Sequence, residues 1–124
     1  MSNPQLFKSL SAGGPIAAYR IVKFGSAETV VAAAAATDSL IGVSADLTVA
    51  SGERVDVLLA GIACVEAGAA VALGDPLTSD AVGRCVPAAP ATGVNHRVIG
   101  IALEAASEAG DVIRVLFSPS TLQG

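Results

Sequence analysis

Leu40-Ile41-Gly42-Val43 is followed, 58 positions later (98 − 40), by Val98-Ile99-Gly100-Ile101. The likeness continues without a gap. Ser51-Gly52-Glu53 falls on Ala109-Gly110-Asp111, and Val55-Asp56-Val57-Leu58-Leu59 falls on Ile113-Arg114-Val115-Leu116-Phe117. Positions 40–59 therefore keep their order of apolar, glycine, acidic and apolar residues in positions 98–117. A fixed register of this kind marks an internal repeat, in which each copy is one structural unit.

Upstream the offset shortens to 55 (79 − 24): Phe24-Gly25-Ser26-Ala27-Glu28-Thr29-Val30-Val31 corresponds to Ser79-Asp80-Ala81-Val82-Gly83-Arg84-Cys85-Val86. Both stretches read as an apolar segment, a small or polar turn, and another apolar segment, the pattern of a β-hairpin. Each half then holds a hairpin, a short Ile-Gly-centred strand, a loop closed by glycine and an acid, and a last strand.

The run Val30 to Ala36 tests this reading, because alanine is the best helix former. Its counterpart Val86-Pro87-Ala88-Ala89-Pro90 carries two prolines and cannot be a helix interior. Both copies are therefore read as extended. The same comparison makes Leu103 to Ala109 a loop with at most one helical turn, since its partner Ala45 to Ser51 is richer in β-branched residues. Arg54 to Leu59 alternates Val55, Val57 and Leu59 with Arg54, Asp56 and Leu58, as a strand with one buried face does. Gly74-Asp75-Pro76 supplies turn chemistry.

Many short strands with turns between them predict an all-β fold, a small β-barrel or sandwich built from two pseudo-repeated halves. The expected organisation is an extended N-terminal arm over 1–15, a single β domain over 16–118 with pseudo-repeats at about 16–60 and 74–118, and a C-terminal tail over 119–124.

Composition narrows the function. Hydrophobic residues make up 52% and charged residues 15%, which excludes a disordered chain. The longest apolar run, Val30 to Ala36, is far too short to span a bilayer, so no membrane partner is expected. The first residues show no basic segment leading into an apolar one, and the reading expects a soluble protein made in the cytoplasm. A net charge of −4, seven scattered basic residues and 3% aromatics argue against nucleic acid as a partner. Cys64 and Cys85 do not make a disulfide framework and are read as reduced, buried apolar residues.

Catalytic chemistry finds little to work with. Asp75, Asp80 and Asp111 lie beside glycine or proline and read as turn formers before they read as acid–base groups. His96 is the single histidine and is read as a solvated loop side chain. There is no Gly-x-Ser-x-Gly elbow, Cys-x-x-Cys pair, calcium loop or phosphate-binding glycine loop. Metal ligation by Cys64, Cys85 and His96 would need a fourth ligand. The expectation is a protein that is not an enzyme and has no catalytic residues, no metal and no cofactor. Ala69 to Leu77 is similar to segments of lipoyl and biotinyl carrier domains, but the tip Ser79 to Gly83 has no lysine to modify.

The order Ile-Gly-Val, Gly-Glu-x-Val-x-Val-x-Leu, Val-Glu-Ala-Gly-Ala-Ala-Val-x-x-Gly-Asp-Pro-Leu, Gly-Arg and Val-Ile-Gly-Ile-Ala-Leu-Glu-Ala-Ala with Gly-Asp-Val-Ile-Arg-Val resembles the capsid cement, or head-decoration, proteins of tailed bacteriophages. The likeness runs from about Ile16 to Phe117. It implies a virion structural protein, assembled in the host cytoplasm, that binds the outer surface of the expanded phage head. There it clamps neighbouring subunits of the major capsid protein. It also implies a homo-oligomer: a homotrimer at three-fold and quasi-three-fold sites, with a dimer as runner-up. The arm carries Leu6, Phe7, Lys8 and Leu10, which are the expected capsid-binding residues. The paired loops Asp46 to Gly52 and Glu104 to Gly110 are a second candidate surface. Competing readings are another virion β-spacer of tail or baseplate, a carrier barrel lacking its lysine, and a β-barrel subunit whose site forms between chains.

Overall fold

The computed structural model describes residues 6–26, 29–45, 47–90 and 92–123. Ten strands follow one another: β1 (Leu6–Ala12), β2 (Ile21–Ser26), β3 (Thr29–Ala32), β4 (Leu40–Ser44), β5 (Arg54–Ala60), β6 (Ile62–Glu66), β7 (Pro76–Ser79), β8 (Cys85–Pro87), β9 (Asn95–Ala102) and β10 (Val112–Gln123). Among the described residues there is no helix. The alanine run leaves β3 at Ala32 and closes in a turn, and 103–110 is a loop.

The fold is all-β, and the duplication is visible strand by strand. β1, β3, β2, β4 and β5 close into a barrel, and β6, β10, β9, β7 and β8 form a second sheet. If β1 to β5 are matched with β6 to β10 in chain order, the neighbours are the same in both. The first barrel closes by a parallel contact of Ala12 with Val30, and the second sheet repeats it between Ala67 and Cys85. We call residues 6–60 the first module and 62–123 the second; Gly61 alone joins β5 to β6.

Two sequence expectations change here. Residues 6–12 are not an arm outside the barrel. They pair antiparallel with β5 from Leu6↔Ala60 to Ser11↔Arg54 and complete the barrel wall. The physical reason is that β5 needs a partner on each side. The sequence signal is Leu10-Ser11-Ala12-Gly13-x-x-Ile16, repeated as Val65-Glu66-Ala67-Gly68-x-x-Val71. Likewise 119–123 are not a loose tail: β10 continues along β9 through Ser120↔Val98 to Gln123↔Asn95. Residues 1–5 of the expected arm, Asp46 of the loop and Gly124 of the tail lie outside the described residues.

The interiors correspond as well. Leu10, Ala12, Ile16, Val22, Val30, Val55 and Val57 fill the first barrel. Their counterparts Val65, Ala67, Val71, Leu77, Cys85, Ile113 and Val115 fill the second. Each large aliphatic side chain so buried contributes about 1.5–3 kcal/mol. The second cluster also takes in Ile21, Ala33, Val43 and Leu58 from the outside of the first barrel, so one core crosses the seam. Leu58 is therefore buried on the face the alternation pattern gave to solvent, because the second module covers it.

The repeated Ile-Gly has a steric cause. The β2–β4 register skips Ile41, and the β9–β10 register skips Ile99. At both irregularities the isoleucine turns inward: Ile41, the extra residue of β4, packs on the first core, and Ile99, which faces Ser118 and Pro119 of β10, is fully buried in the second. The next residue must then lie against the neighbouring strand. A Cβ on Gly42 would fall on the Leu58 carbonyl oxygen, and one on Gly100 on the Leu116 carbonyl oxygen.

Gly42→Ala and Gly100→Ala are expected to destabilise by about 2–3 kcal/mol or more, since backbone must move to admit the methyl group. Gly14, with nothing within 4 Å of its would-be Cβ, should accept alanine within about 0.5 kcal/mol. Urea unfolding of the three variants measures the difference.

Candidate functional site

The acidic residues are held by their own turns. Asp75 accepts from the Ala72 amide at 2.9 Å, and Asp111 from the Ser107 amide at 3.1 Å. Asp80 accepts from the Val82 and Arg84 amides, both at 2.9 Å, and pairs with the Arg84 guanidinium at 3.0 Å. Asp38 accepts from Ala34 and Ala35 and sits 3.1 Å from Lys23 Nζ. Burial alone would raise the Asp38 carboxyl pKa. The Ala34 amide, the Lys23 ammonium and the Ala35 amide outweigh it and hold the group below its ordinary value. These carboxylates shape loops, as the sequence suggested for Asp75, Asp80 and Asp111.

The thiols differ. Cys85 takes the interior place that Val30 takes in the first module, and burial, with the Asp80 charge adding to it, pushes its pKa up to about 12. Cys64 is exposed on β6, contrary to the expectation that both are buried, because its side of the strand faces out. His96 lies on β9 opposite Leu122, with a buried Nδ1 that has no hydrogen-bond partner among the described residues. It is half-buried, not a free loop side chain. Among the described residues no three His, Cys, Asp or Glu side chains converge on a metal position.

At the seam, Arg20 bonds Glu66 at 3.2 Å and the Val82 carbonyl at 2.9 Å, and Glu66 also faces Arg84 at 3.8 Å. Tyr19 stands beside this group with φ of 60°, a left-handed conformation unusual for a side chain of its size. Its carbonyl accepts from the Glu66 amide at 2.9 Å and its amide donates to the Ala45 carbonyl at 3.2 Å, so one bond from each module holds it there. Between the modules runs a groove of about 260 Å³ lined by Phe7, Tyr19, Val43, Leu58, Ile62 and Cys64 among others. Among the described residues its lining holds no carboxylate and no histidine, the groups that acid–base catalysis at neutral pH draws on most.

What the surface offers is apolar side chains. Leu6 is 58% and Phe7 46% exposed at the start of β1, with Lys8 exposed beside them. Leu10 is corrected from a docking residue to a core residue: it is 3% exposed and points into the barrel. β1 meets β3 only at Ser11 and Ala12, so among the described residues its edge from Leu6 to Leu10 carries no strand on that side. Of the candidate loops, Leu47 is the most exposed large residue, and Leu103 lies at the start of the equivalent segment. Sequence reasoning missed the outer faces of β6, β9 and β10, where Ile101 and Leu116 are about 40% exposed. Their signal was available: both match residues, Val43 and Leu58, that are apolar in the first copy.

The duplicated β scaffold, with its turn-bound acids and outward apolar side chains, is matched by a family of virion structural proteins. The chain belongs to the phage cement protein family, whose model matches residues 6–117. Among solved structures it is similar to the N-terminal base of the head fiber protein gp8.5 of bacteriophage phi29. That likeness has 24% identity and a TM-score of 0.70, covering 98% of this chain and 100% of that one. None of the curated proteins matches the chain.

Two outcomes follow from the ionisable groups. In native protein a thiol reagent is expected to titrate Cys64 rapidly and Cys85 only after denaturation, so a burst of two thiols before unfolding contradicts the burial of Cys85. Asp38, with its folded pKa below the unfolded value of 3.8, adds stability above that pH and loses it as pH falls through the folded value. Asp38→Asn should therefore be less stable than wild type at pH 7 and should show a smaller loss of melting temperature on acidification below about pH 4.

Proposed function

We propose that this chain is a cement protein of the outer phage head, which binds the expanded shell and clamps neighbouring major capsid subunits. In this reading it is not an enzyme, and it acts as a homotrimer at three-fold and quasi-three-fold positions. The observation that carries the reading is the edge of β1 from Leu6 to Leu10, which among the described residues carries no strand, with Leu6, Phe7 and Lys8 beside it. An extended segment of a capsid subunit can add to such an edge through main-chain hydrogen bonds, while the two apolar side chains supply contact area and Lys8 a charge. The family match supports a virion component, and the duplicated all-β fold supports a structural scaffold.

The clamping is a linkage effect. A ligand that binds only the expanded shell shifts the balance towards it, and many equivalent sites make modest affinity per site sufficient.

Leu6→Glu/Phe7→Glu/Lys8→Glu changes exposed side chains and should leave the melting temperature within a few degrees of wild type. Co-sedimentation with purified expanded capsids is expected to fall at least tenfold, and decorated capsids should lose their added resistance to heat. Unchanged co-sedimentation would remove the β1 edge from the reading. Binding to tails or baseplates in place of heads would move the protein to another part of the virion.

A further inference from the structure

The second module shows how an edge of this fold is covered. β6 lies at the edge of its sheet, and the Glu66 amide at its end donates to the Tyr19 carbonyl of the first module at 2.9 Å. The next residue of the covering segment, Arg20, reaches the Glu66 carboxylate at 3.2 Å. Main chain meets the edge, and an ion pair between edge and cover fixes the contact.

Position 66 matches Ser11 of the first module, and the charge there has the other sign. Arg54 donates from one guanidinium nitrogen to Ser11 Oγ at 3.1 Å and from the other to the Ser9 carbonyl at 3.4 Å. Among the described residues Arg54 makes no ion pair, whereas Arg20, Lys23 and Arg84 are all paired. Asp56 shares its exposed side of β5 but forms no ion pair with it. The Ser9 carbonyl matters for the direction in which it points. Ala12 turns its amide to the Glu53 carbonyl, and Asp56, opposite Ser9, gives its own carbonyl to Ala45. The register is unbroken from Phe7 to Ser11, so main-chain groups alternate and Ser9 turns its own away from β5. That is the edge which, among the described residues, carries no strand from Leu6 to Leu10. Arg54 therefore sits on an acceptor that an added strand would use, as charged side chains do on edges guarded against indiscriminate pairing.

We propose that Arg54 is a removable cap that selects an acidic partner. The carboxylate of an extended segment draws the guanidinium off the Ser9 carbonyl, and the segment's main chain takes its place. A bond of 3.4 Å is long and weak enough to give way, and a carboxylate is a stronger partner for a guanidinium than a neutral carbonyl is. The pairing is that of Arg20 with Glu66, with the charges exchanged between edge and cover. This role rests on the β1 edge being the docking edge proposed above, and it adds the side chain that the partner must carry.

Two short peptides of alternating threonine and valine, one with a central glutamate and one with a central lysine, are titrated into the protein and followed by NMR. The glutamate peptide should shift the Phe7 and Ser9 amides and saturate at a concentration about tenfold or more below the lysine peptide, a gap that closes in high salt. Arg54→Gln should lose the preference and Arg54→Glu should reverse it, both folded by circular dichroism. Arg114→Gln, at another exposed arginine outside the ion pairs, should keep it. Equal binding of the two peptides, binding of neither, a preference that survives in Arg54→Gln, or one that Arg114→Gln also loses overturns the proposal. On purified expanded capsids Arg54→Glu should co-sediment about tenfold less than wild type. Co-sedimentation at the wild-type level also overturns it and leaves the cement reading intact. Wild type that prefers the glutamate peptide but ignores capsids upholds the role of Arg54 and removes only the cement reading.

Discussion

Ile21, Val43 and Leu58 lie on the outer wall of a closed barrel, where a free-standing module would show them to water. They are instead among the most deeply buried residues of the chain, in one cluster with the interior of the second module. The first module therefore carries two apolar faces on the same strands, one inward and one towards its neighbour. The polar side chains of the seam are ordered around this contact. Arg20 reaches across to Glu66 and Val82, and Ser44 ties Arg20 back to its own barrel through a 2.9 Å bond. A half-buried single ion pair of this kind adds only modestly by itself, so it is the apolar contact that fixes the modules against one another.

Most of the architecture was legible because it is written twice. Gly42 and Gly100 match in sequence, and their structural reason is shared: each follows an inward-turned isoleucine at a register irregularity and lies against a carbonyl that leaves no room for a Cβ. Gly52 and Gly110 likewise matched, and both adopt positive φ, 88° and 100°, ahead of the acid that ends each loop. Comparing copies also overruled local propensity at the alanine run and at Leu103 to Ala109, where a single segment alone favours helix.

What escaped has physical causes too. The first strand was taken for an arm because Ser9, Ser11 and the glycines dilute its apolar pattern, although Leu10, Ala12 and Ile16 match Val65, Ala67 and Val71. A strand at the closing point of a barrel needs only one apolar side, and its strength comes from the backbone pairing with β5. The site was less legible than the fold. Leu6, Phe7 and Lys8 stand out in sequence as apolar or charged, but Leu10 differs from Leu6 in depth along the strand: Leu10 reaches the barrel interior, whereas Leu6 stands at the strand end beyond a register shift. The outer faces of β9 and β10 carry one signal, the match of Ile101 and Leu116 to the apolar Val43 and Leu58 of the first copy, which does not say which of the two faces is covered. That difference stands out only once the burial of the first copy is known.

Two interiors of one shape within a single polypeptide also amount to a natural substitution table. Position by position, each lists a side chain that the other's cavity has been fitted around: leucine for valine at 77 and 22, isoleucine for valine at 113 and 55, thiol for isopropyl at 85 and 30. Valine at 85 is thus a replacement this architecture already accommodates elsewhere, close in volume and without a polar atom. A chain so altered would keep one sulfhydryl, exposed on β6, as a unique point for attaching a fluorophore or cargo.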